Sequence, residues 1–161
     1  MTDRVYIETT IPSLYHTLRT GVESVARMRW TRQWWSEYAP QFELFTSPAV
    51  ILELQQGSSE KTAERLHLIA EIELLDINDD VDEIVGTYIE RRVMPNDPGG
   101  DALHLAVASY YRMDVLLTWN CRHLANPNKI GHIRAVNREL GLPTPLVTTP
   151  LNYVGGDDND G

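Results

Sequence analysis

The stretch DALHLAVASYYRMDVLLTWNCRH, residues 101–123, decides the fold class. It opens with a carboxylate, Asp101, at the head of an Ala-rich helical pattern. It then passes through Met113-Asp114 into a short apolar run, Val115-Leu116-Leu117, which breaks into Thr118-Trp119-Asn120. A short apolar run beside a helix is the pattern of a parallel strand buried on both faces. Ligands of open α/β sheets gather at the carboxyl ends of such strands. The polar cluster that ends this run is therefore where chemistry is expected.

Near the N-terminus, Arg4 to Ile7 predicts a first strand, short and β-branched. Glu8-Thr9-Thr10 follows, with Pro12 suited to a helix start. Glu23 to Tyr38 predicts a long helix closed by Pro40. Its Trp30, Trp34 and Trp35 share one stripe and are expected to be core or interface anchors rather than base-stacking platforms. Phe42 to Thr46 predicts a second strand, and Ser47-Pro48 starts a helix over Ala49–Gln56 that carries Glu53 and stops near Gly57. Glu60 to Ile72 has helical spacing with Leu66, Ile69 and Ala70 facing in. Leu74-Leu75 predicts a third strand, Val81 to Arg92 an amphipathic helix, and Met94 to Gly100 a Pro/Gly loop. Pro127 to Leu140 predicts a helix stopped by Gly141-Leu142-Pro143, and Leu146-Val147-Thr148 a last strand. Strands alternating with helices predict a parallel sheet covered on both faces.

At 161 residues the chain has the length of one domain, expected over 1–154, with an acidic, disordered tail over 155–161. It is 42% hydrophobic, enough for one core, and holds no apolar run of membrane-spanning length. The opening MTDRVYIETT lacks the basic and apolar regions of a signal peptide. A lone cysteine, Cys121, cannot form an internal disulfide, which fits a reducing cytoplasm. A net charge of -9 excludes binding to nucleic acid by overall charge. Part of that excess lies in the tail, and part in Asp79-Asp80-Val81-Asp82-Glu83, where a helix N-terminus favours negative charge. A remaining part suits a cation site.

Glu8 closes the first strand, Glu53 lies in the helix after the second, Asp101 opens the helix before the fourth, and Asn120 closes the fourth. If the first and fourth strands are neighbours, these side chains converge on one rim of the sheet. Acids so placed repel one another, and a divalent cation relieves the repulsion. Mg2+ and Mn2+ prefer oxygen ligands, polarise phosphodiesters and acidify bound water. Each acid also has a plain structural account. Asp101 suits a helix N-terminus, and Glu8 a solvated loop. Glu53 is flanked by Val50, Ile51, Leu52 and Leu54, where an unpaired Glu is rare. His104, one turn after Asp101, suits a core histidine bonded to a neighbour better than a metal ligand. Cys121 and His123 do not face each other on a helix, which argues against a nucleophilic pair. No Gly-rich phosphate loop, Cys-x-x-Cys or Gly-x-Ser-x-Gly is present.

Val5-Tyr6-Ile7-Glu8-Thr9-Thr10 with Ile11-Pro12-Ser13 resembles the opening motif of PIN-domain proteins. Ser47 to Glu53 resembles their second motif, Asp101 to Ala106 the third, and Leu116 to His123 the fourth. The motifs fall in order over most of the chain, and the nearest resemblance is to bacterial VapC-like toxins. The resemblance implies a three-layer α/β/α domain around a mainly parallel, five-stranded sheet. It implies Mg2+- or Mn2+-dependent cleavage of single-stranded or structured RNA, a homodimer and, often, a neutralising antitoxin. By position it assigns Glu8, Glu53, Asp101 and Asn120 to the metal-binding and catalytic places. Thr9 and Thr118 are then placed to bond phosphate or water, and Arg122 to contact phosphate. Further basic groups for an RNA backbone are Arg27, Arg29, Arg32, Arg91 and Arg92. Two positions depart from the pattern: Glu8 stands where Asp is commoner, and Asn120 where Asp is frequent. The missing charge at Asn120 leaves an alternative function, a catalytically weak or inactive PIN-fold module that binds RNA or protein through a dimer or antitoxin interface.

Overall fold

A computed structural model of the chain describes residues 2–94 and 100–155. The acidic tail beyond Gly155 and most of the expected Pro/Gly loop lie outside the described residues. The strands are β1 (Arg4–Ile7), β2 (Glu43–Thr46), β3 (Glu73–Leu74), β4 (Val115–Leu117) and β5 (Leu146–Thr148). The helices are α1 (Thr10–Tyr15), α2 (Val22–Glu37), α3 (Pro48–Gln56), α4 (Thr62–Leu68), α5 (Asp79–Glu90), α6 (Asp101–Tyr110), α7 (Pro127–Glu139) and α8 (Leu151–Val154). The five strands form one sheet in the order β3-β2-β1-β4-β5, and every pairing is parallel.

Side-chain alternation along the central strands builds both outer layers. Tyr6 and Leu116 point to one face, where they join buried residues of α3, α5, α6 and α7. Val5, Ile7, Val115 and Leu117 point to the other, against Ile11 of α1 and Trp34 of α2. Helices on both faces of a parallel sheet give the expected three layers. Helix α6 is buried from Ala102 through Ser109, so its small side chains suit a helix packed on several sides.

Local chemistry sets the element ends. Asn78 Oδ1 accepts from Val81 N at 3.0 Å and caps α5, whose first turn carries Asp79, Asp80 and Asp82. Asn126 caps α7 ahead of Pro127, and Gly141 follows that helix at a φ of 72° that favours glycine. Two expectations change. The helix expected over 60–72 is ordered as helix only over α4, and Ala70, expected inside, is exposed because the chain turns there toward β3. The sequence does not predict helix α8, because four residues after Pro150 are too short to show a period.

Candidate metal centre

The sheet order reverses at β1. The chain leaves β1 for β2 and β3 on one side, then returns to place β4 and β5 on the other. The carboxyl ends of β1 and β4 flank that switch point, where α/β sheets bind ligands. Ile7 pairs with Leu117, and Glu8 N donates to Leu117 O at 3.2 Å, so Glu8 and Thr118 leave the sheet side by side.

Glu8 is only 3% exposed, and its carboxylate is held by a specific set of donors. Thr10 N reaches Glu8 Oε1 at 3.1 Å, Thr10 Oγ1 at 2.5 Å and Thr118 Oγ1 at 2.6 Å. Each hydroxyl also accepts a backbone proton: Trp119 N donates to Thr10 Oγ1 and Asn120 N to Thr118 Oγ1. Those N–H groups can only donate, so each hydroxyl is left to direct its own single proton at Glu8. All these bonds end on Oε1, which leaves Oε2 without a protein donor among the described residues.

The second carboxylate, Glu53, comes from α3. Its Oε1 meets His104 Nε2 at 2.5 Å, and the His104 side chain is 1% exposed against 31% for Glu53. His104 Nδ1 bonds Tyr6 OH at 2.8 Å, and Tyr6 OH bonds Ser47 Oγ at 2.8 Å. Ser47 sits at the N-cap of α3 but spends its hydroxyl on Tyr6 rather than on the helix. Burial presses the His104 imidazole toward its neutral form. The Glu53 hydrogen bond and the charges of Glu8, Glu53 and Asp101 outweigh burial and raise its pKa above the ordinary histidine value. Burial, reinforced by Glu8 and Glu53 against the Ser47 hydrogen bond, raises the Tyr6 phenol far out of reach of ionisation.

One ligand atom each from Glu8, Glu53 and His104 lie within 4.8 Å of one another. Asp101 stands outside that group and receives Asn120 Nδ2 on its Oδ1 at 2.8 Å. An ionised carboxylate oxygen can only accept, so in this bond His104 Nε2 is the donor to Glu53, which removes that nitrogen as a ligand. The open ligands are then carboxylate oxygens, a donor set that fits Mg2+ or Mn2+.

The expected residues are thus distributed unevenly. Glu8 and Glu53 come together, and Asp101 and Asn120 pair beside them. Thr118 holds Glu8, and Thr9 Oγ1 lies 3.5 Å from His104 Nε2. Arg122 is exposed, with no side-chain partner among the described residues. Several of the other arginines are engaged elsewhere: Arg27 with Glu23, Arg91 with Glu139, and Arg32 with Tyr15 O. Residues not expected at the centre are Thr10 and the Tyr6–Ser47 pair, and His104 proves to be both a core histidine and a member of the cluster. Only the Asp-x-x-His spacing hinted at the last.

No family model matches the sequence, and no curated protein matches it. Among solved structures, the chain is similar to VapBC2 from Rickettsia felis bound to a DNA fragment from their promoter, with TM-score 0.58 and 16% identity over 91% of this chain and 98% of that one. It also aligns with FitAcB from Neisseria gonorrhoeae at TM-score 0.48 and 15% identity, over 91% of this chain and 97% of that one. At such identity the likeness to VapBC2 is one of fold, and the architecture is the PIN-like α/β/α domain that the four motifs implied.

Proposed function

We propose that the protein is a metal-dependent ribonuclease of the PIN type and the toxin of a toxin–antitoxin pair. The observation that carries the reading is the convergence of Glu8 and Glu53 at the sheet's switch point, within 4.8 Å of each other and of His104, with Asp101 alongside. A divalent cation held by Glu8, Glu53 and Asp101 would polarise a phosphodiester and provide nucleophilic water near neutral pH. The chain supplies the positioning. Thr10 and Thr118 fix Glu8, His104 fixes Glu53, and Asn120 fixes Asp101. RNA is the proposed substrate, Mg2+ or Mn2+ the proposed ion, and an antitoxin and a second copy of the chain the proposed partners. The fold shared with VapBC2, a complex solved on promoter DNA, supports a place in such a pair.

A mixed RNA pool incubated with Mn2+ or Mg2+ tests the reading. Wild type should give metal-dependent products, and Asp101→Asn and Glu8→Gln should lose about 100-fold or more of the rate. Absence of cleavage and of metal binding by a folded wild-type protein rejects it. The Asp101–Asn120 hydrogen bond favours a second reading, a PIN-fold binding module with weak catalysis, in which RNA binds but is not cut.

A further inference from the structure

A cavity of about 450 Å3 adjoins the acid cluster on the side of α1, α2 and α4. Thr10 joins the two places, because it both lines the cavity and holds Glu8 Oε1. The other polar walls include Ser13, Arg19, Ser24, Arg27 and Arg65. In a chain of net charge -9 this grouping of guanidiniums and hydroxyls stands apart.

The charges in the cavity are not mutually compensated. Arg27 is paired with Glu23 at 2.7 Å, and Glu23 is the acid on the cavity wall. Arg19 has no ion-pair partner among the described residues. Arg65 directs Nε and Nη2 at His16 O, at 3.2 and 2.9 Å, which locks its guanidinium plane and leaves Nη1 uncommitted. Burial first, and then the Arg19 charge, pull the Arg65 pKa down, so the two cations sit close enough to repel. Like charges held together beside hydroxyl donors form a receptor for an anion.

We propose that this cavity seats a backbone phosphate of the RNA strand next to the cleavage centre, with Arg19 and Arg65 as its cationic contacts. The assignment rests on the acid cluster being that centre. It follows from electrostatics: carboxylates at the centre repel a polyanion, so a bound strand needs cations on its flanking phosphates.

The test is fluorescence anisotropy of a labelled single-stranded RNA oligonucleotide in EDTA, over a salt series. Wild type is compared with Arg19→Glu and with Arg138→Glu, an exposed site outside the cavity, and circular dichroism verifies each fold. Arg19→Glu should weaken binding about tenfold or more and lower the salt slope by about one, while Arg138→Glu should change little. Arg65→Gln should repeat the Arg19→Glu result. No binding by wild type, or equal losses at Arg19 and Arg138, overturns the pocket. Parallel cleavage with Mn2+ separates the two ideas. Arg19-dependent binding without cleavage keeps the pocket and removes the ribonuclease. Cleavage with an unchanged KM in Arg19→Glu does the reverse.

Discussion

Asn120 donates from Nδ2 to Asp101 Oδ1 at 2.8 Å while its own Oδ1 accepts from His123 N at 3.0 Å. The second bond fixes the orientation of the first. A backbone N–H can only donate, so the oxygen must face His123 and the amide must face the carboxylate. In this arrangement Asn120 satisfies Asp101 in the way a cation otherwise would. Its carbonyl oxygen is committed to the chain.

Asn120→Asp therefore exchanges a hydrogen bond for a repulsion. Without metal the variant should lose roughly 1–3 kcal/mol, from the lost donor and from two adjacent carboxylates. With Mn2+ the added charge should recover much of that loss and tighten ion binding. Thermal unfolding with EDTA and with Mn2+ measures both effects. A variant equally stable with and without the ion removes Asn120 from the neighbourhood of any cation.

The support of Glu8 gives a second expectation. Thr118→Val keeps the shape of a fully buried side chain but deletes a donor to Glu8 and the acceptor for Asn120 N. The loss should be about 1–3 kcal/mol in urea unfolding, because a charge-assisted bond disappears and a backbone N–H loses its partner. Cleavage should fall as well, because Thr10 alone no longer fixes the carboxylate. A neutral effect on both measurements would mean that Thr118 does not position Glu8.

Much of this centre is legible in the sequence, and the reason is local. Glu8 and Thr118 directly follow apolar strands, so strand ends mark them without tertiary information. Glu53 stands out because apolar neighbours surround it. The rest depends on contacts between distant segments. Thr10 reaches Trp119 N across 109 residues, and Tyr6 reaches His104 across 98. No periodicity encodes such pairs. Arg19 and Arg65 are likewise ordinary surface residues in the sequence, and only the packing of α4 against α1 and the segment that follows it brings them to one cavity.

The stripe of tryptophans provides a third expectation. Trp34 is fully buried, packed between Phe42 and Tyr153 with ring centroids at 6.1 and 6.0 Å. Trp34→Ala should cost about 3–5 kcal/mol, the range for deleting a large aromatic from a core. RNA affinity of the remaining folded protein should not change, because the ring cannot reach a base. A selective loss of RNA binding at full stability would return Trp34 to the surface.

His104 gives the pH dependence. Its Nε2 proton serves Glu53 in either state, so the proton that titrates is the one on Nδ1, facing Tyr6 OH. When His104 is charged, Nδ1 donates to Tyr6 and Tyr6 donates to Ser47; when it is neutral, both bonds reverse. The folded pKa is raised, so the folded state binds this proton more tightly than the unfolded chain does. The stabilisation is fully present below the unfolded value of about 6.5 and fades as pH rises through the folded value. In EDTA, the stability difference between wild type and His104→Gln should therefore shrink as pH rises from about 6.5 through the folded value, and level off above it. The Cε1 proton of His104, followed by NMR, should titrate above a free histidine. A midpoint below the ordinary value would show that burial outweighs the carboxylates, and the difference between the two proteins would then grow with pH.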